Sequence, residues 1–231
     1  MDIARSQPMK AMPEVRAVTF DVGGTLLEPW PSVGHVYARL AAPFGLTQLD
    51  GAALNARFVE AWRRRANFDY ARASWHRLVQ ETFGDVTVSA ECFAALYEGF
   101  GAAEAWRIYE DVGPALKALR RRGVRLGVIS NWDERLRPLL RSLGLEEYFE
   151  VIVVSHEAGD PKPSPLIFAR AASAMALPPD AMLHVGDSGR EDVAGAKAAG
   201  FRALLLDRLG SEGGTGDESM INSLRELAGW L

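Results

Sequence analysis

Short apolar runs alternate along this chain with longer stretches in which apolar positions recur every three to four residues. The runs at 15–21, 124–130, 151–154, 182–186 and 202–206 are almost continuously apolar, as strands are when both faces of a parallel sheet are covered. Helical patterns separate them. Pro114 opens one that Gly123 closes, with proline early and glycine just past the end. Asp133 is placed to cap the next, whose Leu136, Leu139, Leu140 and Leu143 form a single stripe ending at Gly144. Ser164 and Pro165 supply a cap and first turn for a third, running through Ala176, and a fourth ends near Gly200. The pattern predicts an α/β fold, a Rossmann-like parallel five-stranded sheet with right-handed crossovers.

Residues 31–107 have another texture, with almost no strand signal. Helical patterns run over 33–40, 49–65, 74–83 and 90–100, punctuated by Gly45, Gly84 and Gly101. A connection of that length is no simple crossover, so a helical domain inserted over the sheet edge is expected. The chain then divides into a loose tail at 1–14, an α/β core at 15–30 and 108–231, and the insertion at 31–107. Phe58 and Trp62, one turn apart, read as the insertion's own core. Beyond Arg208, GSEGGTGDES reads as a flexible loop before a final helix over 221–231, with Leu224 and Leu227 packed on the sheet.

Composition narrows the class. With 231 residues, 48% hydrophobic and 24% charged, the chain can bury a large core and suits a compact soluble enzyme. Its net charge is −4 without a long run of one sign. The arginine triplets at 63–65 and 120–122 fall near helix C-termini, where cations favour the helix dipole. They read as solvated helix ends, so no nucleic-acid partner is expected. Cys92 is the single cysteine and excludes an internal disulfide, and no Cys/His cluster suggests zinc. The opening MDIARSQPMKAMPE has neither an apolar core nor a spanning length, which predicts a cytoplasmic protein with no membrane partner. Oligomeric state leaves no trace in the pattern.

Four segments carry candidate chemistry. In VRAVTFDVGGTLL (15–27) a β-branched run delivers Asp21 into a glycine-rich turn, at the sheet edge where open α/β folds bind ligands. VRLGVISN ends at Ser130 and Asn131. GDPKPSP holds Lys162 between two prolines, and AMLHVGDSGREDVAGAKAAG holds Asp187 and Asp192. Each lies at or just beyond a strand end. In this order, from about 15 to 206, they resemble the haloacid dehalogenase-like hydrolase superfamily, in its helical-cap subclass.

The resemblance implies a magnesium-dependent phosphatase acting on a small phosphorylated molecule. Asp21 would be the nucleophile, attacking phosphorus to give an aspartyl-phosphate and dividing one hard hydrolysis into two steps. Lys162 would place positive charge on the transferring group. Gly24 and Thr25, in the 22–25 turn, would offer backbone N–H groups to the phosphoryl oxygens, with Ser130 and Asn131 adding a hydroxyl and an amide. Asp21, the Gly23 carbonyl, Asp187 and Asp192 would hold Mg2+, with Asp192 reaching it through water. A hard dication is also what three clustered carboxylates require, since they would otherwise repel one another and the phosphate. The insertion would be a cap that closes over substrate. His184, inside an apolar strand, reads as a packed core histidine, and His35 and His76 carry no motif.

Gly23 departs from the family pattern, which has a second aspartate there. Glycine retains the carbonyl but lacks the acid that protonates a leaving alkoxide and then activates water, a contribution of roughly 10²- to 10⁴-fold. Glu28, Asp133 or a side chain of the insertion could substitute. Otherwise the substrate has a good leaving group or turnover is slow. Two sister activities also lack that aspartate. Phosphonate hydrolysis needs a cap lysine, and the lysines are only Lys10, Lys117, Lys162 and Lys197. Cleavage of 2-haloacids uses the same nucleophile without metal, and Arg39 and Arg57 could bind a substrate carboxylate. The third alternative is a non-catalytic phosphate-binding or interaction protein on the same fold.

Overall fold

In the computed structural model, which describes residues 14–65, 68–208, 210 and 219–231, the apolar runs become strands of one sheet. The chain enters through β1 (Ala17–Phe20) and β2 (Leu27–Pro29). It then forms α1 (Val33–Ala41), α2 (Gly51–Arg64), α3 (Arg72–Phe83) and α4 (Ala90–Gly99), and returns through β3 (Trp106–Ile108). The rest alternates as α5 (Val112–Arg121), β4 (Arg125–Ser130), α6 (Leu136–Ser142), β5 (Val151–Val154), α7 (Ser155–Ala158), α8 (Pro165–Ala174), β6 (Met182–Gly186), α9 (Gly195–Ala198), β7 (Arg202–Leu206) and β8 (Met220–Ile221). The expected loose tail, apart from Glu14, and most of the 210–219 loop lie outside the described residues.

The sheet has the order β5-β4-β1-β6-β7-β8, parallel at every pairing. It therefore has six strands, not the expected five. The sixth is Met220–Ile221, which pairs with Leu205 and Leu206; two residues are too few to show a period. The final helix expected over 221–231 is replaced by this strand and a 3₁₀ stretch, Leu224–Gly229. Leu224 and Leu227 are nevertheless buried, as expected.

β1 is buried along its whole length because helices cover both sheet faces. Val18 and Phe20 point into an apolar layer shared with Leu116, Leu119, Leu136 and Leu140. Ala17 points into the opposite layer with Ile167, Phe168 and Ala196. Successive strand residues face opposite sides, so a short strand serves two cores. Asp133 Oδ1 accepts from Arg135 N at 3.1 Å, in the turn that opens α6. The residue is fully buried and its carboxylate also accepts two bonds from the Arg135 guanidinium, at 2.8 and 2.5 Å.

The insertion leaves and returns along an antiparallel ribbon in which Leu27 faces Ile108, Glu28 faces Arg107 and Pro29 faces Trp106. Its helices start on side-chain caps where the sequence offers them. Asp50 accepts from the N–H groups of Ala52 and Ala53, and Ser89 from that of Cys92, which answers donors that an α-helix start leaves unpaired. Tyr37, Leu54, Val79, Phe83, Phe93 and Leu96 form a third apolar cluster inside the insertion. Among the described residues no helix is long and apolar enough to cross a membrane.

Candidate active site

β1 lies between β4 and β6, so the chain turns outward in opposite directions from it, and a crevice opens beyond the C-terminal strand ends. Asp21 leaves β1 there, its N–H bonded to Val185 O at 2.9 Å. Ser130 ends β4 and donates to Asp21 Oδ1 at 2.9 Å. Lys162, from the loop before α8, donates to the same oxygen at 2.6 Å and to Asp192 Oδ1 at 2.5 Å. Asn131 clamps that loop: its Oδ1 accepts from Lys162 N at 2.7 Å and its Nδ2 donates to Lys162 O at 3.0 Å. The amide expected to meet a phosphoryl group thus also fixes where the lysine stands.

Two glycines make the close approach possible. Gly24 has φ +76°, and a Cβ on it would stand 2.2 Å from Asp187 Oδ2. A Cβ on Gly186 would stand 2.1 Å from Asp192 Cγ. Both carboxylates therefore occupy space that a side chain would fill. The turn itself differs from the expected cradle. The N–H groups of Gly24 and Thr25 donate inward, to Leu27 O and Val22 O, because the chain must turn back at once into β2. Thr25 is fully buried, with no partner for its hydroxyl among the described residues, and does not line the crevice. The N–H groups of Val22 and Gly23 and the Gly23 carbonyl make no bond to described residues.

Asp21, Asp187 and Asp192 each bring a carboxylate oxygen within 4.8 Å of the other two, so the cluster could hold a metal ion. Lys162 compensates only one side of it. Burial pushes the Asp21 carboxyl up, against the pull of Lys162. Asp192 is also buried, but Lys162 and His184 outweigh burial and hold it below the usual range. Its two oxygens accept from Lys162, His184 Nε2 (3.0 Å) and Ser188 N (3.0 Å). Asp192 thus also holds the lysine, a role additional to the one expected of it at a metal. Asp187 is different: it is exposed at the cavity, the partial enclosure of its carboxyl and the neighbouring Asp21 and Asp192 raise it above its ordinary value, and among the described residues no salt bridge engages it. A hard dication is the kind of group such a set of oxygens would take, with Asp21, Asp187, Asp192 and the Gly23 carbonyl as its expected ligands.

His184 is the core histidine expected, with a positioning role added. Its Nδ1 lies 3.0 Å from Thr19 Oγ1 and burial lowers its pKa. The neutral ring with Nε2–H toward Asp192 and Nδ1 accepting from Thr19 satisfies all three groups.

The insertion roofs the crevice and encloses a cavity of about 410 Å3. Trp62 lines it, which corrects its assignment to the insertion's core, whereas Phe58 lines it and also packs against that core; Trp62 stacks on Phe58 and on Trp75 at 5.8 Å from each. Arg65 is not a solvated helix end. Its guanidinium lies 3.5 Å over the Trp62 ring and pairs with Glu191 at 3.3 Å, and Glu191 also accepts from Asn131. Arg39 and Arg57, the expected carboxylate binders, are exposed and away from the cavity. The candidate acids are likewise elsewhere: Glu28 is tied to Arg107 and Asp133 to Arg135. Arg65, Trp132, Arg135 and Glu191 line the cavity without being singled out by any motif. The available signal was position alone, since Trp132 and Arg135 directly follow a strand-end motif and Glu191 precedes Asp192.

A sequence profile of the haloacid dehalogenase-like hydrolase family matches residues 15–200. The chain is 33% identical over 207 residues to haloacid dehalogenase-like hydrolase domain-containing protein 3 of Bos taurus, covering 84% of this chain and 82% of that one. It is 30% identical over 212 residues to phosphoglycolate phosphatase of Salmonella paratyphi A, covering 86% and 83%. Among solved structures, a HAD phosphatase from Thermococcus onnurineus superposes with TM-score 0.69 at 28% identity, over 93% of this chain and 97% of that one. A 2-haloacid dehalogenase from Pseudomonas syringae superposes with TM-score 0.64 at 26% identity, over 94% and 100%.

Proposed function

We propose that this chain, which belongs to the haloacid dehalogenase-like hydrolase family, is a magnesium-dependent phosphatase that forms an aspartyl-phosphate on Asp21. The observation that carries the reading is the floor of the cavity, where buried Asp21 is held by Lys162 and Ser130 and brings a carboxylate oxygen within 4.8 Å of those of Asp187 and Asp192. A carboxylate oxygen of Asp21 forms the bond to phosphorus as the bond to the leaving oxygen breaks. Lys162 and Ser130 fix the attacking group, and the Lys162 ammonium offsets charge on the transferring phosphoryl. Mg2+, held by Asp21, Asp187, Asp192 and the Gly23 carbonyl, would neutralise these acids and draw charge from the phosphoryl oxygens. The roof acts as a cap that keeps bulk water from the aspartyl-phosphate until a single water hydrolyses it.

Glycine at 23 leaves the leaving oxygen without a side-chain acid, and Glu191, the other carboxylate lining the cavity among the described residues, is engaged by Arg65 and Asn131. Good leaving groups are therefore favoured. With acetyl phosphate, phosphate release requires Mg2+, disappears with a chelator and is lost in Asp21→Asn. Cleavage of a carbon–halogen bond by the same Asp21 is the second reading, favoured by the missing acid and the likeness to the Pseudomonas enzyme. Metal-free halide release from a 2-chloroacid, with no phosphate release from acetyl phosphate, reverses the order of the two.

A further inference from the structure

Within that phosphatase reading, we infer that the substrate is the phosphate monoester of an aromatic alcohol, a phenol-type leaving group with no charge beyond the phosphate. Two separate features of the cavity converge on this class.

The first is the chemistry of its walls. Opposite the floor of Asp21, Lys162 and Asp187, the space is bounded by Trp62, Trp75, Tyr97, Phe100, Trp106 and Trp132. Trp106 and Trp132 pack at 5.0 Å and, with Phe100, give an aromatic lining for a flat apolar body, while Trp62, already engaged by Phe58, Trp75 and the Arg65 guanidinium, completes the wall. The volume of about 410 Å3 lies within the range of about 300–1,000 Å3 that encloses small organic ligands. A sugar or polyol would lose its hydration against these rings and gain few partners from them. The cations of the cavity are committed as well. Arg65 pairs with Glu191, Arg135 with Asp133, and Lys162 with Asp21 and Asp192. Among the described residues lining the cavity, no cation stays uncommitted for a carboxylate on the leaving group.

The second feature is Gly23. Without an acid there, the leaving oxygen must depart as an anion. A phenol ionises near pH 10, as tyrosine does, far below an alkanol, so the aryl ester is the one this site can cleave. The Asp21 oxygen bonds to phosphorus, the P–O bond breaks with its electron pair on the aryl oxygen, and that phenolate takes a proton from water. A second water then attacks the aspartyl-phosphate, releasing inorganic phosphate and restoring the Asp21 carboxylate. A small acyl phosphate also has a good leaving group but fills little of the aromatic enclosure, which is why the aromatic ester is assigned.

The test separates binding from turnover. Asp21→Asn is titrated with 1-naphthyl phosphate, glycerol 2-phosphate and 3-phosphoglycerate, following tryptophan fluorescence. In parallel the unmodified enzyme with Mg2+ is assayed on 1-naphthyl phosphate and acetyl phosphate. The inference expects 1-naphthyl phosphate to bind at least about tenfold more tightly than the other two titrants, the scale of discrimination an apolar pocket gives. It also expects Trp132→Ala to lower kcat/KM for 1-naphthyl phosphate about tenfold more than for acetyl phosphate, with Trp132→Phe recovering most of the loss. Equal or weaker binding of the naphthyl ester overturns the aromatic class, even where acetyl phosphate is hydrolysed and the phosphatase reading stands. Tight naphthyl binding with neither ester hydrolysed overturns the phosphatase reading and keeps the aromatic specificity of the cavity.

Discussion

A glycine and a tryptophan share the decisive position of this site. A Cβ on Gly23 would meet Trp132 Cζ3 at 3.4 Å, ordinary van der Waals contact, so a side chain introduced there would have the indole as its neighbour. Gly23→Asp combined with Trp132→Ala should raise the rate on an alkyl phosphate relative to an aryl phosphate about 100-fold, within the usual contribution of a general acid. Gly23→Asp alone should give less, and kcat on the two ester types measures both. Asp21 and Asp187 were legible because each leaves a strand end inside a short local motif, and Lys162 because two prolines flank it in the loop before α8. Trp132 and Arg65 could not. Trp132 matters through its packing on Trp106 and its distance from Gly23, and Arg65 through an acid 126 residues away. Neither relation is local.

At the scale of elements, Asp111 joins three parts of the chain. Standing just before α5, it accepts from Arg208 Nη1 and Nη2 at 3.0 Å each, from Ser223 Oγ at 2.8 Å and from Leu224 N at 2.8 Å. Arg208 in turn donates to Thr25 O in the turn after β1 and lies 3.8 Å over Tyr109. Burial works to raise the Asp111 carboxyl, yet the bonds from Arg208, Ser223 and Leu224 outweigh it and hold it below its ordinary value of 3.8. Because the folded value is the lower one, its contribution to stability is complete above about pH 4 and fades as the pH falls through the folded value. Asp111→Ala should cost about 3 kcal/mol at neutral pH, as expected when one partner of a buried pair is removed; thermal unfolding reads it. Asp111→Asn should flatten the acid limb of a stability–pH curve. The strands and helices around this hub were legible from their periods, whereas β8 was not, since it exists only through its pairing with β7. Asp133 was legible at the start of α6, whereas its second partner, the Arg135 guanidinium, was not.

Across the whole molecule, two apolar layers fasten the sheet and a third holds the insertion together. The alternation of textures along the chain made that division readable. The enclosure between insertion and sheet was not, because its lining comes from both sides of the boundary. Polar ties cross the same boundary, from Arg65 to Glu191, from Arg135 to Tyr97 O at 2.5 Å and from Tyr97 Oη to Glu134 at 2.8 Å.

The ribbon beneath the insertion sets Pro29 directly opposite Trp106, with Trp30 N donating to Ala105 O at 2.9 Å. Topologically, everything between is one very long hairpin loop, and neighbouring antiparallel strands can be bridged by as few as two residues. A shortened chain, spliced across that gap, should keep a parallel-sheet circular dichroism spectrum, since neither apolar layer of the sheet would be cut. Stripped of its roof, Asp21 would open to reactants of any size, including phosphorylated side chains on the surfaces of other folded proteins.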